Sequence, residues 1–243
     1  MPGAVDSLRG KAIVLAGGAG GLGSAIATLL LEEGARLTLS FLRHENRAGH
    51  WVSRAAVVQA DLASSSDRAK LLDAAPSLYG LVVLAGDPAR VSDASQMESA
   101  MLRSHEVNYM GPVLLAREAA ERMKAAAVPG SIVLISTMQA NALFAGSTAY
   151  AAQKEALQHA GRILAKECRG SRNIRVNVVS PGVTAAGMAE ASIASGKYDR
   201  FIGEDIISRF GRAEDIARAV RFFLEPDNYI TGQVLCVDGG ITL

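Results

Sequence analysis

The chain has 243 residues, of which 49% are apolar and 20% charged, and a formal net charge of +1. That apolar share is enough for a large core, and the near-neutral balance excludes a nucleic-acid or membrane surface held by bulk electrostatics. Its two cysteines, Cys168 and Cys236, are too few for a disulfide framework and fit free thiols in a reducing compartment.

The first residues, MPGAVDSLRGK, contain no apolar leader core, and no apolar run approaches the about 18 residues of a membrane span. A soluble, cytoplasmic protein is expected. A short apolar strand over 12–16 then runs into AGGAGGLGS, residues 16–24, where five of nine residues are glycine. Leu22, Ile26, Leu29 and Leu30 follow as one helical stripe, with Gly34 as the C-terminal stop. Further strands are expected over 36–40, 56–59, 81–85, 131–135, 174–179 and 234–237, several continuously apolar, as strands covered on both faces should be. Helices are expected over 98–127, interrupted near Gly111-Pro112, and over 148–167 and 214–224. Residues 184–210, rich in Ala, Ser and Gly, are too long for an ordinary connection and read as a substrate lid. Repeated strand–helix units without an internal linker predict one α/β domain over 1–243, a doubly wound parallel sheet of about seven strands.

In that setting the glycines have a purpose. A loop leaving the first strand and opening a helix can set backbone N–H groups against a pyrophosphate. Gly18, Gly20 and Gly23 fit G-x-G-x-x-G, and Gly17, Gly21 and Gly23 fit G-x-x-x-G-x-G; Leu22 lies within the same turn. No Gly-Lys-Ser/Thr follows, so a P-loop is excluded. The second strand would bring an acid to the adenosine ribose of NAD, but it runs into Phe41-Leu42-Arg43-His44. Arg43 suits a 2′-phosphate instead, which favours NADP(H), with NAD(H) as the alternative; Arg43 and Arg47 could equally be solvated loop charges. Asp61-Leu62, after the third strand, could meet the adenine edge.

Tyr150 and Lys154 form Y-x-x-x-K, which on a helix stacks a phenol and an ammonium on one face. A cation beside a phenol favours phenolate and eases proton exchange with a carbonyl or alcohol. The pair follows a strand that ends in two hydroxyl residues, Ser136-Thr137.

Together these residues resemble the short-chain dehydrogenase/reductase family in its single-domain form, a Rossmann fold, and the likeness spans essentially the whole chain. It includes the glycine loop, Asp61, Ala85-Gly86, Asn108, Tyr150/Lys154, Ser180-Pro181-Gly182, Arg209-Phe210-Gly211-Arg212 and Val237-Asp238-Gly239-Gly240. The resemblance implies that Tyr150 is the general acid in reduction and that Lys154 holds the nicotinamide ribose and depresses the tyrosine pKa. Asn108 would support a water-linked proton relay to the lysine, and Pro181-Gly182-Val183 would border the nicotinamide. It also implies a homotetramer. The family's serine, thirteen residues before the tyrosine, is Thr137 here, with Ser136 as the alternative if the next loop is one residue longer. Other departures are Ala16 for the usual Thr, Val83-Leu84 for Asn-Asn, and Ala186 for a Thr that contacts the carboxamide, where Thr184 is the substitute.

The function expected is a hydride transfer between nicotinamide and a small-molecule carbonyl or alcohol, as a ketoreductase and in particular a 3-oxoacyl reductase, with an acyl-carrier-linked substrate within reach. A non-catalytic dinucleotide sensor and an NAD-linked alcohol dehydrogenase are the alternatives. No metal, nucleic acid or membrane partner is expected. Met188, Ile193, Tyr198, Phe201 and Ile202 would line an apolar or mixed substrate pocket.

Overall fold

The computed structural model describes residues 8–243 apart from His44 and Ser92; the N-terminal stretch 1–7 read for a leader, and His44 after the second strand, lie outside the described residues. Seven strands form one parallel sheet: β1 (Ala12–Ala16), β2 (Arg36–Phe41), β3 (Ala56–Gln59), β4 (Leu78–Val83), β5 (Gly130–Ile135), β6 (Ile174–Pro181) and β7 (Val234–Val237). Their order is β3-β2-β1-β4-β5-β6-β7. Successive strands of a parallel sheet need crossovers, and the helices between them cover both faces.

Alternation along each strand decides which helix it meets. From β1, Val14 and Ala16 face one apolar layer with Leu71 and Leu72 of α3 (Ser65–Asp73), Leu115 and Met123 of α5 (Gly111–Ala125), and Leu157 and Leu164 of α6 (Thr148–Glu167). Ile13 and Leu15 face the other layer, with Ile26 and Leu30 of α1 (Gly21–Glu32) and Ile216, Val220 and Phe223 of α9 (Ala213–Leu224). Burial on both faces is why these strands read as apolar runs rather than as alternating ones. No described helix is long and apolar enough to cross a membrane.

β2, β5, β6 and α9 differ from expectation by one or two residues at their ends, and two elements differ more. β4 lies over Leu78–Val83 rather than 81–85, because the amides of Leu84 and Ala85 both turn to the carbonyl of Ala16, at 2.8 and 3.1 Å. The apolar run therefore outlasts the strand and wraps the glycine loop. The expected long helix is α4 (Met97–His105), a π-helical turn over Glu106–Met110, and then α5. Pro112 has no N–H for the carbonyl four residues back, and the ladder widens so that Gly111 N–H bonds Glu106 O.

The expected lid is not structureless. It holds a 3₁₀ turn (Gly187–Ala189), α7 (Glu190–Ala194) and α8 (Arg200–Gly203). Its two ends meet: Ala185 N–H bonds Gly211 O at 2.8 Å, and Gly211 N–H bonds Val183 O at 2.9 Å. Met138, Val183, Phe201 and Ile207 form a small apolar cluster beneath it. A long excursion with joined ends and its own packing is a compact Ω-type loop.

Candidate active site

A cavity of about 750 Å³ opens at the C-terminal ends of the strands and runs from the glycine loop past β4 and β5 to the lid. It lies where β1 and β4 are neighbours and the strand order reverses, the crevice in which open α/β sheets bind ligands.

At one end, Gly17, Gly20, Gly21, Leu22 and Gly23 line the wall. Gly17 has φ +81°, and a Cβ there would stand 3.0 Å from Ala85 N, so the loop can pass β4 this closely only as glycine. A Cβ on Gly23 would fall 2.4 Å from Gly18 O, which rules out any side chain where α1 folds back on the loop. The hydroxyl of Ser40 accepts from Gly17 N–H at 3.0 Å and ties the loop to β2. No side chain caps the N-terminus of α1, and its first turn has no acid. Its amides and positive dipole end are left for an anion. These features fit the pyrophosphate of a dinucleotide.

Phe41, Leu42 and Arg43 continue the wall beyond β2. Arg47, on α2 (Glu45–Gly49), joins them, with its guanidinium 3.7 Å from the position of a Cβ on Gly20. Arg47 thus overhangs the glycine loop. Two cations face this end, and a lone arginine in sequence carries no signal by which the second could be singled out. Asp61 and Leu62, expected at the adenine edge, are not among the residues lining the cavity. The Asp61 carboxylate accepts from Ala63 N–H in its own turn at 3.0 Å, and Leu62 is buried against Gly111. β3 is the edge strand, two strands from the glycine loop.

At the other end stand Tyr150, Lys154, Ser136 and Thr137, with Ala85, Gly86, Pro181, Gly182, Val183 and Thr184 around them. α6 presents Tyr150 and Lys154 one turn apart toward the end of β5. The two hydroxyls after that strand part company. Ser136 donates to Lys154 O at 3.1 Å and accepts from Gln158 Nε2 at 3.1 Å, so its hydroxyl is committed to α6. The Thr137 hydroxyl accepts from Gln139 N–H at 3.4 Å and favours the phenolate of Tyr150. Thr184 donates to Gly182 O at 3.1 Å, which holds the turn after β6.

Burial dominates the electrostatics. It pushes the Tyr150 phenol up to about 12, opposed by the Thr137 hydroxyl. It pushes the Lys154 ammonium down to about 8. The lysine donates to Ile135 O at 2.9 Å. Lys154 was expected to depress the tyrosine, but removing the phenol from water outweighs the influence of the lysine, whose charge burial also disfavours.

Asn108 is held by hydrogen bonds of its own. It is fully buried in the π turn, with Oδ1 accepting from Asp87 N–H at 3.0 Å and Nδ2 donating to Asp87 O at 2.8 Å and Ser104 Oγ at 2.9 Å. Its side chain clasps the loop after β4. Gly86 is the link to the site, since a Cβ there would be 3.3 Å from Asn108 Oδ1 and 3.7 Å from Lys154 Nζ. Asn108 thereby sets how close that loop comes to the lysine. No group of three or more His, Cys, Asp or Glu side chains able to hold a metal occurs among the described residues.

Comparison with known proteins agrees with this geometry. The profile described as enoyl-(acyl carrier protein) reductase matches residues 17–242. A short-chain type dehydrogenase/reductase of Picea abies is 30% identical over 96% of this chain and 93% of its own. The chain belongs to the short-chain dehydrogenase/reductase family. A solved short chain dehydrogenase/reductase family protein shares 33% identity, covers 96% of this chain and 98% of its own, and superposes with a TM-score of 0.84. An NADPH-dependent aldehyde reductase-like protein of Arabidopsis thaliana is 31% identical over 96% of this chain and 94% of its own. Against the short-chain dehydrogenase/reductase pattern, Thr137 stands where a serine is usual; its hydroxyl favours the Tyr150 phenolate, while that of Ser136 is committed to α6.

Proposed function

We propose that the protein is an NADP(H)-dependent carbonyl reductase, an oxidoreductase that moves a hydride between nicotinamide and a small carbonyl or alcohol substrate. The observation that carries this is Tyr150 and Thr137 gathered with the buried Lys154 at the far end of a cavity that starts on a glycine loop. Bound NADPH supplies the hydride. Tyr150 Oη gives its proton to the substrate oxygen, and the Thr137 hydroxyl orients that oxygen against the phenol. Lys154, held by Ile135 O, offers its remaining N–H groups to ribose hydroxyls. Gly86, Pro181, Gly182 and Val183 would border the nicotinamide ring, and Met188 and Tyr198 of the lid line the substrate end. Met138, Phe144 and Met188 give the substrate end apolar walls that suit an alkyl or acyl chain, free or carrier-linked.

Titration with NADPH followed by a panel of carbonyl compounds tests the reading. Turnover of at least one carbonyl is expected. Tight NADPH binding without oxidation on any carbonyl would instead make the protein a dinucleotide sensor.

Preference for NADPH over NADH is supported by Arg43 and Arg47 at the adenosine end and by two Arabidopsis thaliana relatives that are named for NADPH-dependent aldehyde reduction. Arg43→Glu replaces attraction to a 2′-phosphate with repulsion. It is expected to weaken NADPH binding by about 10–100-fold and NADH binding far less. Equal dissociation constants for the two cofactors in the unmutated protein would remove this part of the reading.

The same reading includes a homotetramer in the cytoplasm. The free thiols Cys168 and Cys236 suit a reducing compartment. Met101 and Leu102 on α4 and Ile163 on α6 are exposed apolar side chains on helices that pack side by side, and a second copy would cover them. Light scattering at micromolar concentration is expected to show the mass of four chains; a monomer overturns the assembly.

A further inference from the structure

The lid brings a second phenol to the substrate end of the cavity. Tyr198, just before α8, lines it together with Thr137, Gln139, Phe144 and Tyr150. Its ring stacks on Phe201 with centroids 6.3 Å apart and planes 20° from parallel. It also packs against the cluster of Met138, Val183 and Ile207. The ring is therefore held in place.

The lid that carries it is held too. Arg90, in the loop after β4, donates through Nη2 to Met188 O and to Ser192 Oγ, both at 3.0 Å. That fastens the α7 side of the lid to the loop that Asn108 clasps.

The chemistry of this end is rich in donors. Among the described residues, no protein group is hydrogen-bonded to the Tyr198 hydroxyl. The Lys197 ammonium stands 5.5 Å from the centroid of the Tyr198 ring, and Gln139 adds an amide to the same wall. Asp87 is the one acid among the lining residues at this end, and Arg103 pairs with it at 2.8 Å.

We propose that the Tyr198 hydroxyl donates a hydrogen bond to a second oxygen of the substrate, a few bonds from the reacting carbonyl. The site then prefers dicarbonyl or oxo-acid compounds to simple ketones. This rests on the carbonyl-reductase reading above. A simple ketone leaves the phenol without a partner once water is excluded, whereas a second oxygen satisfies it, and a site built around such a bond discriminates against molecules that lack it.

The test compares a 1,3-diketone with the simple ketone of the same chain length, in NADPH-oxidation assays of the full chain. Tyr198→Phe keeps the ring and its stacking on Phe201. It is expected to lower the ratio of kcat/KM for diketone over ketone by about tenfold, with the NADPH Kd retained. Tyr198→Ala, which also removes the ring, serves as the packing control. An unchanged ratio in Tyr198→Phe overturns the inference, as does an equal loss on both substrates matching that of Tyr198→Ala. If the unmutated protein binds NADPH but oxidises it with neither compound, the carbonyl-reductase reading itself fails, an outcome distinct from an unchanged ratio.

Discussion

Tyr150→Phe is expected to lower kcat for carbonyl reduction by about 10²–10⁴-fold with NADPH affinity nearly retained. The substitution removes one oxygen and leaves the ring in its pocket, so the loss reports proton donation and not packing. Burial that holds the phenol up to about 12 keeps it protonated throughout the neutral range. The donor for reduction is thus loaded at any ordinary pH, and reduction should not decline through loss of this proton below strongly alkaline conditions. Alcohol oxidation needs the phenolate and should climb as pH rises through the alkaline range. Thr137→Ala is expected to cost much of the activity and to shift the oxidation profile further alkaline, because the hydroxyl that favours phenolate is gone; Ser136→Ala should act through the placement of α6 instead. Full activity of Tyr150→Phe with cofactor bound would show that another group supplies the proton.

Lys154→Met should separate stability from function. The lysine is held down to about 8 by burial from an ordinary value of 10.5. At pH 7 it is mostly charged in a dry site, which costs the folded state on the order of 3 kcal/mol. Methionine fills a similar volume without the charge. It forfeits the hydrogen bond to Ile135 O, a loss of about 1 kcal/mol. The net expectation is a Tm raised by roughly 2–8 °C at pH 7, with reduction nearly abolished because the ribose loses its donor.

The pH dependence of the unmutated protein follows with a definite sign. Between pH 8 and 10 the unfolded chain keeps a proton on Lys154 that the folded protein has released, so stability from this group rises with pH. Above pH 10 the folded protein keeps protons on Tyr150 and Tyr79, both pushed up to about 12, that the unfolded chain gives up, so stability falls. Denaturation curves over this range should show the rise in the unmutated protein and its absence in Lys154→Met. A Lys154→Met protein that is less stable at pH 7 would mean that the ammonium is better solvated than its burial implies.

Local pattern and long-range contact contributed differently to the site. Periods of 3.6 and runs of β-branched residues are properties of neighbouring residues, so α6 over Thr148–Glu167 and the strands β1, β3 and β7 were legible at their observed bounds. So was the glycine loop, because close approach of backbone to backbone leaves its mark in the residue type itself: Gly17 against Ala85 and Gly23 against Gly18 admit no side chain. The helix spacing of Tyr150 and Lys154 was equally plain, since four residues make one turn.

Other features depend on residues distant in sequence. Whether a hydroxyl faces cavity or helix depends on what packs behind it: Gln158, 22 residues beyond Ser136, claims one hydroxyl, while Thr137 stays on the cavity wall with Tyr150. Arg47 becomes a neighbour of the glycine loop only when β2 and α2 fold over it, and Asn108 becomes a clasp only when the loop after β4 lies beside the π turn. The charge state at the centre belongs to the same class. A phenol and an ammonium four residues apart predict mutual help, but their burial by the sheet, the lid and α6 set both groups against ionisation. The sequence by itself determined the order of strands and helices, the backbone cradle and the one-turn spacing of the phenol and the lysine, because these follow from neighbours along the chain. The tertiary structure alone decided which hydroxyl meets that donor, which cations face the cofactor end and how far each group resists charge, because desolvation and hydrogen-bond competition exist only once distant segments have excluded water together.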